Sequence, residues 1–437
     1  MSSDDGSGDR AAKVSTVPVA TVAGVLLTAS TGCGAGASDS EESASTPASA
    51  VSVSAGAGVT SADTFLSGYV TDDGRVLRHD QGADVVSEGQ AYGMLVAELA
   101  GRPEVVRTIW TWTRDHLGRS DGLLAYHADQ QGQILDPQAA SDADTLAAYA
   151  LLRYDGTGAD ALHRDGRALA TAVLKHETVR DGRGGAVLAA GPWATGRRAV
   201  VDPSYLMPSV FTALARLTRD SRWNALAHTS VDLVDQLTDH GGQLPSDWAR
   251  LDGDRLVPTG NGGGGGAPQY GPDAQRVPMW FAAGCDARSR HLAGTWWTLL
   301  QQDDRSSATA LSPVGDPIDP APSTVALLAA EASARAAGDD AGAANLERGA
   351  QQTADGHPTY YGDAWLVLAA ALRDGRLTTC SCPRAASAER LLSRARSGCR
   401  APRRGRRGRR SPPPRSSGSC RAPADTARPA RAAPRVR

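Results

Sequence analysis

Between about residues 62 and 376, apolar side chains recur every three to four positions, the period of helices that pack by one face. In Glu104–Leu117, Val105, Ile109, Trp112 and Leu117 fall near one stripe. The same pattern predicts helices over Glu88–Leu99, Asp142–Tyr154, Ala159–Val179, Ser209–Leu217 and Ser221–Thr238. It predicts others over Asp273–Ala283, His291–Leu300, Thr324–Ala337, Ala341–Ala354 and Tyr361–Arg373. Alanine-rich rows such as LAAYALL add helix propensity. Short β-rich pieces are few, Arg75–Leu77 and Ala199–Val201 among them. Helices separated by Gly, Pro and Asp loops predict an all-α domain. Antiparallel helix pairs of this kind close into a toroid or stack as an open solenoid. No fixed-length repeat is visible, which counts against the solenoid.

Charge changes the picture at the ends of the chain. The formal net charge of −2 over 437 residues conceals a split. Residues 377–437 carry 17 Arg against Glu389 and Asp425, a net of +15, so residues 1–376 carry −17. The acidic part excludes nucleic acid as a main partner, since phosphate binding needs a positive surface. The basic tail, with PRRGRRGRRSPPPR, reads as disordered, either a genuine tail or the product of a shifted reading frame in GC-rich DNA. At the other end, Arg10 and Lys13 precede an apolar run and the small residues before Cys33, the layout of an export signal. Cys33 is a lipidation candidate. Residues 34–61 are rich in Ser, Ala and Gly and read as a disordered tether before a domain at 62–376. Four of the six cysteines lie in the tail, so no disulfide framework or metal-ligand spacing is expected in the acidic part. The pair in Cys380-Ser381-Cys382 reads as incidental.

Three acidic segments are candidates for chemistry. In SEGQAYGM, Ser87 and Gln90 have the spacing of a capping box, which places Glu88 at the first helical position. Gly89 and Gly93 lie four apart and leave one helix face bare, so something should pack or bind closely there. In AASDADTLAAYALL, Ser141 and Asp144 form a second cap-like pair, and Asp142 takes the position of Glu88. Asp144 is then the structural capper and Asp142 is free for chemistry. In YGPDAQRVPMW, Pro272 suits a first turn, so Asp273 also starts a helix, with Arg276 one turn on. A single acid at a helix start is ordinary, because the helix dipole stabilises it. Three of them would gather at one end of a toroid.

These three segments, in this order and spacing, resemble glycoside hydrolase family 8, and especially the endoglucanases that accompany bacterial cellulose synthases. Asp202-Pro203-Ser204-Tyr205, Leu244-Pro245-Ser246-Asp247-Trp248 and Tyr360-Tyr361-Gly362-Asp363 add to the likeness. One departure is Pro272, where the family usually has Tyr. The resemblance implies a six-hairpin α/α barrel that cleaves β-1,4-linked glucan, xylan or chitosan with inversion. It implies Glu88 as proton donor, Asp142 at the sugar ring beside the scissile bond, and Asp273 as the base that activates water. It also implies a β-1,4-linked polysaccharide substrate, a monomeric enzyme, and a cellulose synthase complex as a partner. No zinc or nucleotide motif is found, so no cofactor or metal is implied.

Inversion makes demands of its own. Acid and base must stand about 6.5–9.5 Å apart to admit a water. A helix N-terminus lowers the pKa of Glu88, whereas a general acid needs it raised. Burial or a like charge must therefore win, and Asp142 is the expected neighbour. Trp outnumbers Phe by 9 to 3, and indoles offer flat faces to sugars. Tyr92, Tyr205, Trp248 and Trp280 are stacking candidates, while Trp110 and Trp112 read as packing. Arg276 either pairs with a catalytic carboxylate or bridges on the surface. His127 and His240 read as ordinary loop or core histidines. Five glycines at 262–266 predict a flexible loop at the cleft rim. The alternatives are a catalytically impaired glycan-binding lipoprotein tied to polysaccharide synthesis, and a chitosanase or xylanase of the same family.

Overall fold

The computed structural model describes residues 55–378, with side chains from residue 61 onward. The calls on the signal segment, Cys33 and the basic tail lie outside the described residues. Among them the helices run in chain order as α1 (Ala55–Tyr69), α2 (Ser87–Leu99), α3 (Pro103–Leu117), α4 (Ser141–Arg153), α5 (Ala159–His176), α6 (Pro208–Thr218) and α7 (Arg222–Leu237). They continue as α8 (Arg276–Ala282), α9 (Ala287–Thr295), the single turn α10 (Trp297–Leu300), α11 (Thr324–Ala337), α12 (Asp340–Gly356) and α13 (Tyr360–Arg373).

Two kinds of helix alternate. Helix α4 is buried from Ser141 to Leu152 and α11 from Thr324 to Ala334, with small residues on every side. Helix α12 buries only Ala343, Ala350 and Ala354 along one stripe. A helix apolar all round belongs inside, and a striped one covers it from outside. The contacts follow that rule. Helices α2, α4, α6, α8, α11 and α13 touch in that order, and α13 returns to α2, closing an inner ring. Each packs against an outer helix: α3, α5, α7, α9, α12 and α1 respectively. The fold is therefore all-α, an α/α toroid of six hairpins.

The strands are confined to one end. β1 (Val85–Val86), β2 (His127–Ala128) and β3 (Ile134–Asp136) form one small antiparallel sheet. β4 (Thr178–Arg180) pairs with β5 (Ala186–Leu188), Val179 opposite Val187. β6 (Val200–Val201), β7 (Trp248–Asp252) and β8 (Arg255–Thr259) make another sheet, and β9 (Ala308–Leu311) pairs with β10 (Pro317–Pro322). Each strand lies between an outer helix and the next inner one, so these connections cluster where the inner helices begin. Returns from inner to outer helices are short turns at the opposite end. Long connections at the helix N-termini make that end the place for a site.

Several expectations need correction. Residues 55–61, read as tether, are the start of α1. The helix expected over Ala159–Val179 ends at His176, because β-branched Thr178 and Val179 pair as β4. The helix expected from Asp273 begins only at Arg276. In α3 the buried stripe takes Val106 rather than Val105. Val76 forms only an isolated bridge with Val70. Neither proposed cap forms: Ser87 and Ser141 are already helical, preceded by Val86 and Ala140 without side-chain caps. Cys285, in the turn between α8 and α9, is disulfide-bonded, and its partner lies outside the described residues.

Candidate active site

The beginnings of the inner helices carry a cluster of acids around one arginine. Arg276 opens α8, and its side chain is only 3% exposed. Its Nη1 donates to Glu88 Oε1 at 2.6 Å, to Asp142 Oδ2 at 3.1 Å and to the Tyr92 hydroxyl at 3.1 Å. Its Nη2 donates to Asp273 Oδ1 at 3.1 Å and lies 3.6 Å from Asp202 Oδ2. The guanidinium sits 5.4 Å from the centre of the Tyr205 ring, a cation–π contact. A planar fork with several donors is the one side chain able to hold this many carboxylates at once. Of its two predicted uses, the structure shows pairing with the carboxylates.

Glu88 is in the first turn of α2, and its side chain keeps 18% exposure. The Tyr92 hydroxyl, one turn on, donates to the same Oε1 at 3.0 Å. Burial pushes the Glu88 pKa up to about 7, and the charges of Asp142 and Asp273 add to this against the pull of Arg276. The carboxyl is thus raised despite its helix N-terminus. Asp142 is buried in the first turn of α4, where desolvation raises its pKa against Arg276 and the Ala143 N–H. Asp273 differs from both. It stands in the turn before α8, with its side chain 39% exposed and open to water.

A second layer lies beneath. Asp202 is fully buried; its Oδ1 accepts from Ser204 N–H at 2.8 Å and Ser204 Oγ at 2.6 Å. Burial and the charge of Asp273 raise its pKa well above the usual range. Asp144 does not cap its helix. Its Oδ1 accepts the Leu124 N–H at 2.9 Å, and its side chain meets Glu177, also buried. Desolvation raises both pKa values well above normal, and the charge of Asp144 adds to the Glu177 shift. Gln90, expected to cap, instead anchors the loop before α2. Its amide accepts from Val76 N–H at 2.6 Å and donates to Gly74 O at 3.0 Å and Thr113 Oγ1 at 2.8 Å. The bare face at Gly89 and Gly93 is filled by protein: a Cβ at Gly89 would meet the Tyr360 hydroxyl at 2.9 Å, and one at Gly93 would meet Val76 at 2.6 Å.

The aromatic candidates divide. Tyr92 and Trp280 are buried and pack edge-on against Trp365, so neither offers a ring face to a ligand. Tyr205 lies under Arg276, and Trp248 is half-buried on β7 next to Asp247. Trp110 and Trp112 are buried packing residues. His127 contacts Asp84 at 2.6 Å and His240 contacts Asp235, neither touching the cluster. The sequence reading missed Trp193, 44% exposed, whose indole N–H reaches the carbonyl of Ala139 beside the Asp142 segment. It also missed Tyr126, 36% exposed, whose backbone carbonyl holds the Ser87 N–H. Exposure of a large ring was the missing signal, and periodicity does not carry it.

Comparison with known proteins gives the family and the fold. The model of the family described as glycosyl hydrolases family 8 matches residues 40–374. A probable endoglucanase of Novacetimonas hansenii is 29% identical over 50% of this chain and 64% of its own length. An endoglucanase of Cellulomonas uda is 28% identical over 57% of this chain and 70% of its own length. The chain thus spans somewhat under two thirds of the first of these relatives. The solved endo-beta-1,4-glucanase CMCax of Acetobacter xylinum superposes with a TM-score of 0.61 at 24% identity, over 73% of this chain and 98% of that one. At that identity the superposition shows the fold.

Proposed function

The chain belongs to glycosyl hydrolases family 8, and from that premise we propose that it is an exported inverting endo-β-1,4-glucanase acting on cellulose-like glucan. One observation carries the reading: a single buried arginine gathers Glu88, Asp142 and Asp273 where the inner helices begin, and burial there pushes the pKa of Glu88, whose side chain keeps 18% exposure, up to about 7.

Glu88 is the general acid. At neutral pH about half of its population is protonated, and Oε2 passes that proton to the leaving glycosidic oxygen. Arg276 and Tyr92 hold Oε1 and fix the carboxyl's direction. Asp273 is the base. It hangs on the other nitrogen of the guanidinium and meets solvent, as a carboxylate that activates water must. Asp142, between them and buried, supports the positive charge that grows on the sugar ring in an oxocarbenium-like transition state. The Asp142 charge also keeps the Glu88 proton in place before reaction. Trp193 and Tyr126 supply exposed rings for sugar units along the cleft.

Substrate class rests on the printed names of the relatives, which are endoglucanases. Export is supported by the N-terminal apolar run ending at Cys33 and by the disulfide at Cys285, a bond that persists in oxidising compartments. The proposed partners are a β-1,4-linked polysaccharide and a cellulose synthase complex. The test is reducing-sugar release from carboxymethyl cellulose, xylan and chitosan, with the anomer of the first product followed by NMR. Release from carboxymethyl cellulose with an α-anomeric product supports the reading. Binding without release would assign the chain to the impaired glycan-binding class.

A further inference from the structure

Asp247, on the approach to β7, is nearly buried and takes no part in the arginine cluster. Its Oδ1 accepts two backbone N–H groups, from Gly271 at 2.9 Å and from Ala274 at 2.8 Å. Those donors flank Pro272-Asp273. Its Oδ2 accepts the side-chain amide of Gln269 at 2.9 Å, and its own N–H reaches the Gln269 carbonyl at 2.8 Å. One carboxylate therefore clasps both ends of the turn that carries Asp273. The fit is close enough that a Cβ at Gly271 would collide with the Asp247 carboxylate.

Pro272 gives the clasp its purpose. Proline has no N–H, so the residue before Asp273 cannot be anchored through its own donor. The Gly271 and Ala274 N–H groups, on either side of Pro272-Asp273, both go to Asp247. From the opposite wall, the Tyr361 hydroxyl donates to the Pro272 carbonyl at 3.2 Å. The Asp273 carbonyl accepts the Arg276 backbone N–H at 3.1 Å and its Nε–H at 3.3 Å, contacts to the helix that follows and not to the segment that precedes it. The five glycines at 262–266 lie just upstream, so the turn needs a tie of its own.

We propose that Asp247 is the positioning residue for Asp273, holding the water-activating carboxylate in register through the Gly271 and Ala274 N–H groups. This rests on the assignment of Asp273 as base. The test compares Asp247→Asn with Asp273→Asn on a soluble β-1,4-linked oligosaccharide, with and without sodium azide. Asparagine keeps the shape but removes the charge that the Gly271 and Ala274 N–H groups share, and it sets an NH2 against the Gln269 amide where Oδ2 accepted. Asp247→Asn should lower kcat about tenfold to a hundredfold with KM changed less than about threefold, the pattern of a misplaced catalytic group. Azide attacks the anomeric carbon without a base: a C–N bond forms as the C–O bond breaks, and Glu88 protonates the departing oxygen. Azide should therefore restore turnover in both variants and yield the α-glycosyl azide.

Wild-type kcat in both Asp247→Asn and Asp247→Ala overturns the proposal. So does a loss that azide leaves unrestored, because it would mean damage to the cleft rather than to the base. Asp247→Ala, with its melting temperature measured beside the activity, serves where Asn is tolerated as an isostere: it should show the same azide-restored loss of kcat. If Asp273→Asn keeps its activity, the assignment of Asp273 itself falls, whatever Asp247→Asn does.

Discussion

At the scale of single residues, the balance at Glu88 decides both activity and stability. Its folded pKa of about 7 stands above the ordinary carboxyl value of 4.5. With Glu88 as the proposed general acid the protonated form is the active one, so kcat/KM should fall as pH rises through about 7, tenfold per unit on the alkaline side, in a pH–rate profile. The stability consequence has the same sign. A carboxyl raised on folding binds more protons folded than unfolded between the two pKa values, so stability falls as pH rises from about 4.5 to 7. Glu88→Gln removes that term. The variant should lose at least a thousandfold in kcat on polymer, a size expected for a group acting in the transition state. It should also lose less stability than wild type between pH 5 and 8, by up to about 3 kcal/mol, as read by denaturant unfolding at each pH. Arg276→Met should cost about 3–5 kcal/mol in the same assay, because it leaves buried carboxylates without their shared cation. Glu88, Asp142, Asp273 and Arg276 were all legible in the sequence, since motif spacing preserves them. Asp202 and Asp247 stood in quoted motifs without a role. Asp247 acts through hydrogen bonds to a segment 24 residues on, and Asp202 through its approach to Arg276 at 3.6 Å, contacts that no spacing rule reveals.

At the scale of elements, helix positions were read better than helix ends. Periodicity located the inner helices and the outer ones apart from α1, because burial on one face is a property of the whole segment. Ends depend on single side chains with several possible partners. Ser87 and Gln90 had capping spacing, yet the Gln90 amide is taken by Val76, Gly74 and Thr113. Ser141 was turned toward the Ala189 carbonyl at 2.6 Å, and Asp144 toward Leu124 and Glu177. In each case tertiary contacts outbid the local cap. The same competition decides the glycines of α2. Propensity alone says Gly93→Ala gains about 1 kcal/mol. Packing says the opposite, because the new methyl would lie 2.6 Å from Val76 Cγ2 and 3.2 Å from Ile109 Cδ1. Overpacking of this kind costs about 1–3 kcal/mol. Gly93→Ala should therefore lower the unfolding midpoint, and Gly93→Ala with Val76→Ala should recover part of the loss. An increase in the midpoint for the single variant would show that α2 can shift away from Val76.

At the scale of the whole molecule, the toroid separates chemistry from closure. The inner helices start at the acid cluster and end at short turns, and Cys285 lies in one of those turns, after α8. Helix α8 begins with Arg276, so the disulfide and the guanidinium sit at opposite ends of one short helix. The charge split in the sequence pointed to a domain ending near Arg376, but it could not show that a cysteine of the acidic part is bonded to one outside the described residues. A crosslink of this kind acts chiefly on the unfolded chain, whose loops it closes, and contributes typically about 2–4 kcal/mol. It should therefore matter for stability and not for the reaction. Alkylation of the native protein without reductant should leave Cys285 unmodified, and alkylation after reduction should label it, as peptide mass mapping reads. Cys285→Ser should lower the melting temperature by several degrees while kcat on a soluble oligosaccharide stays within about twofold of wild type. A fall in kcat as large as that of Asp247→Asn would mean instead that α8 transmits strain along its length to Arg276, and that both ends of the ring are coupled through this one helix.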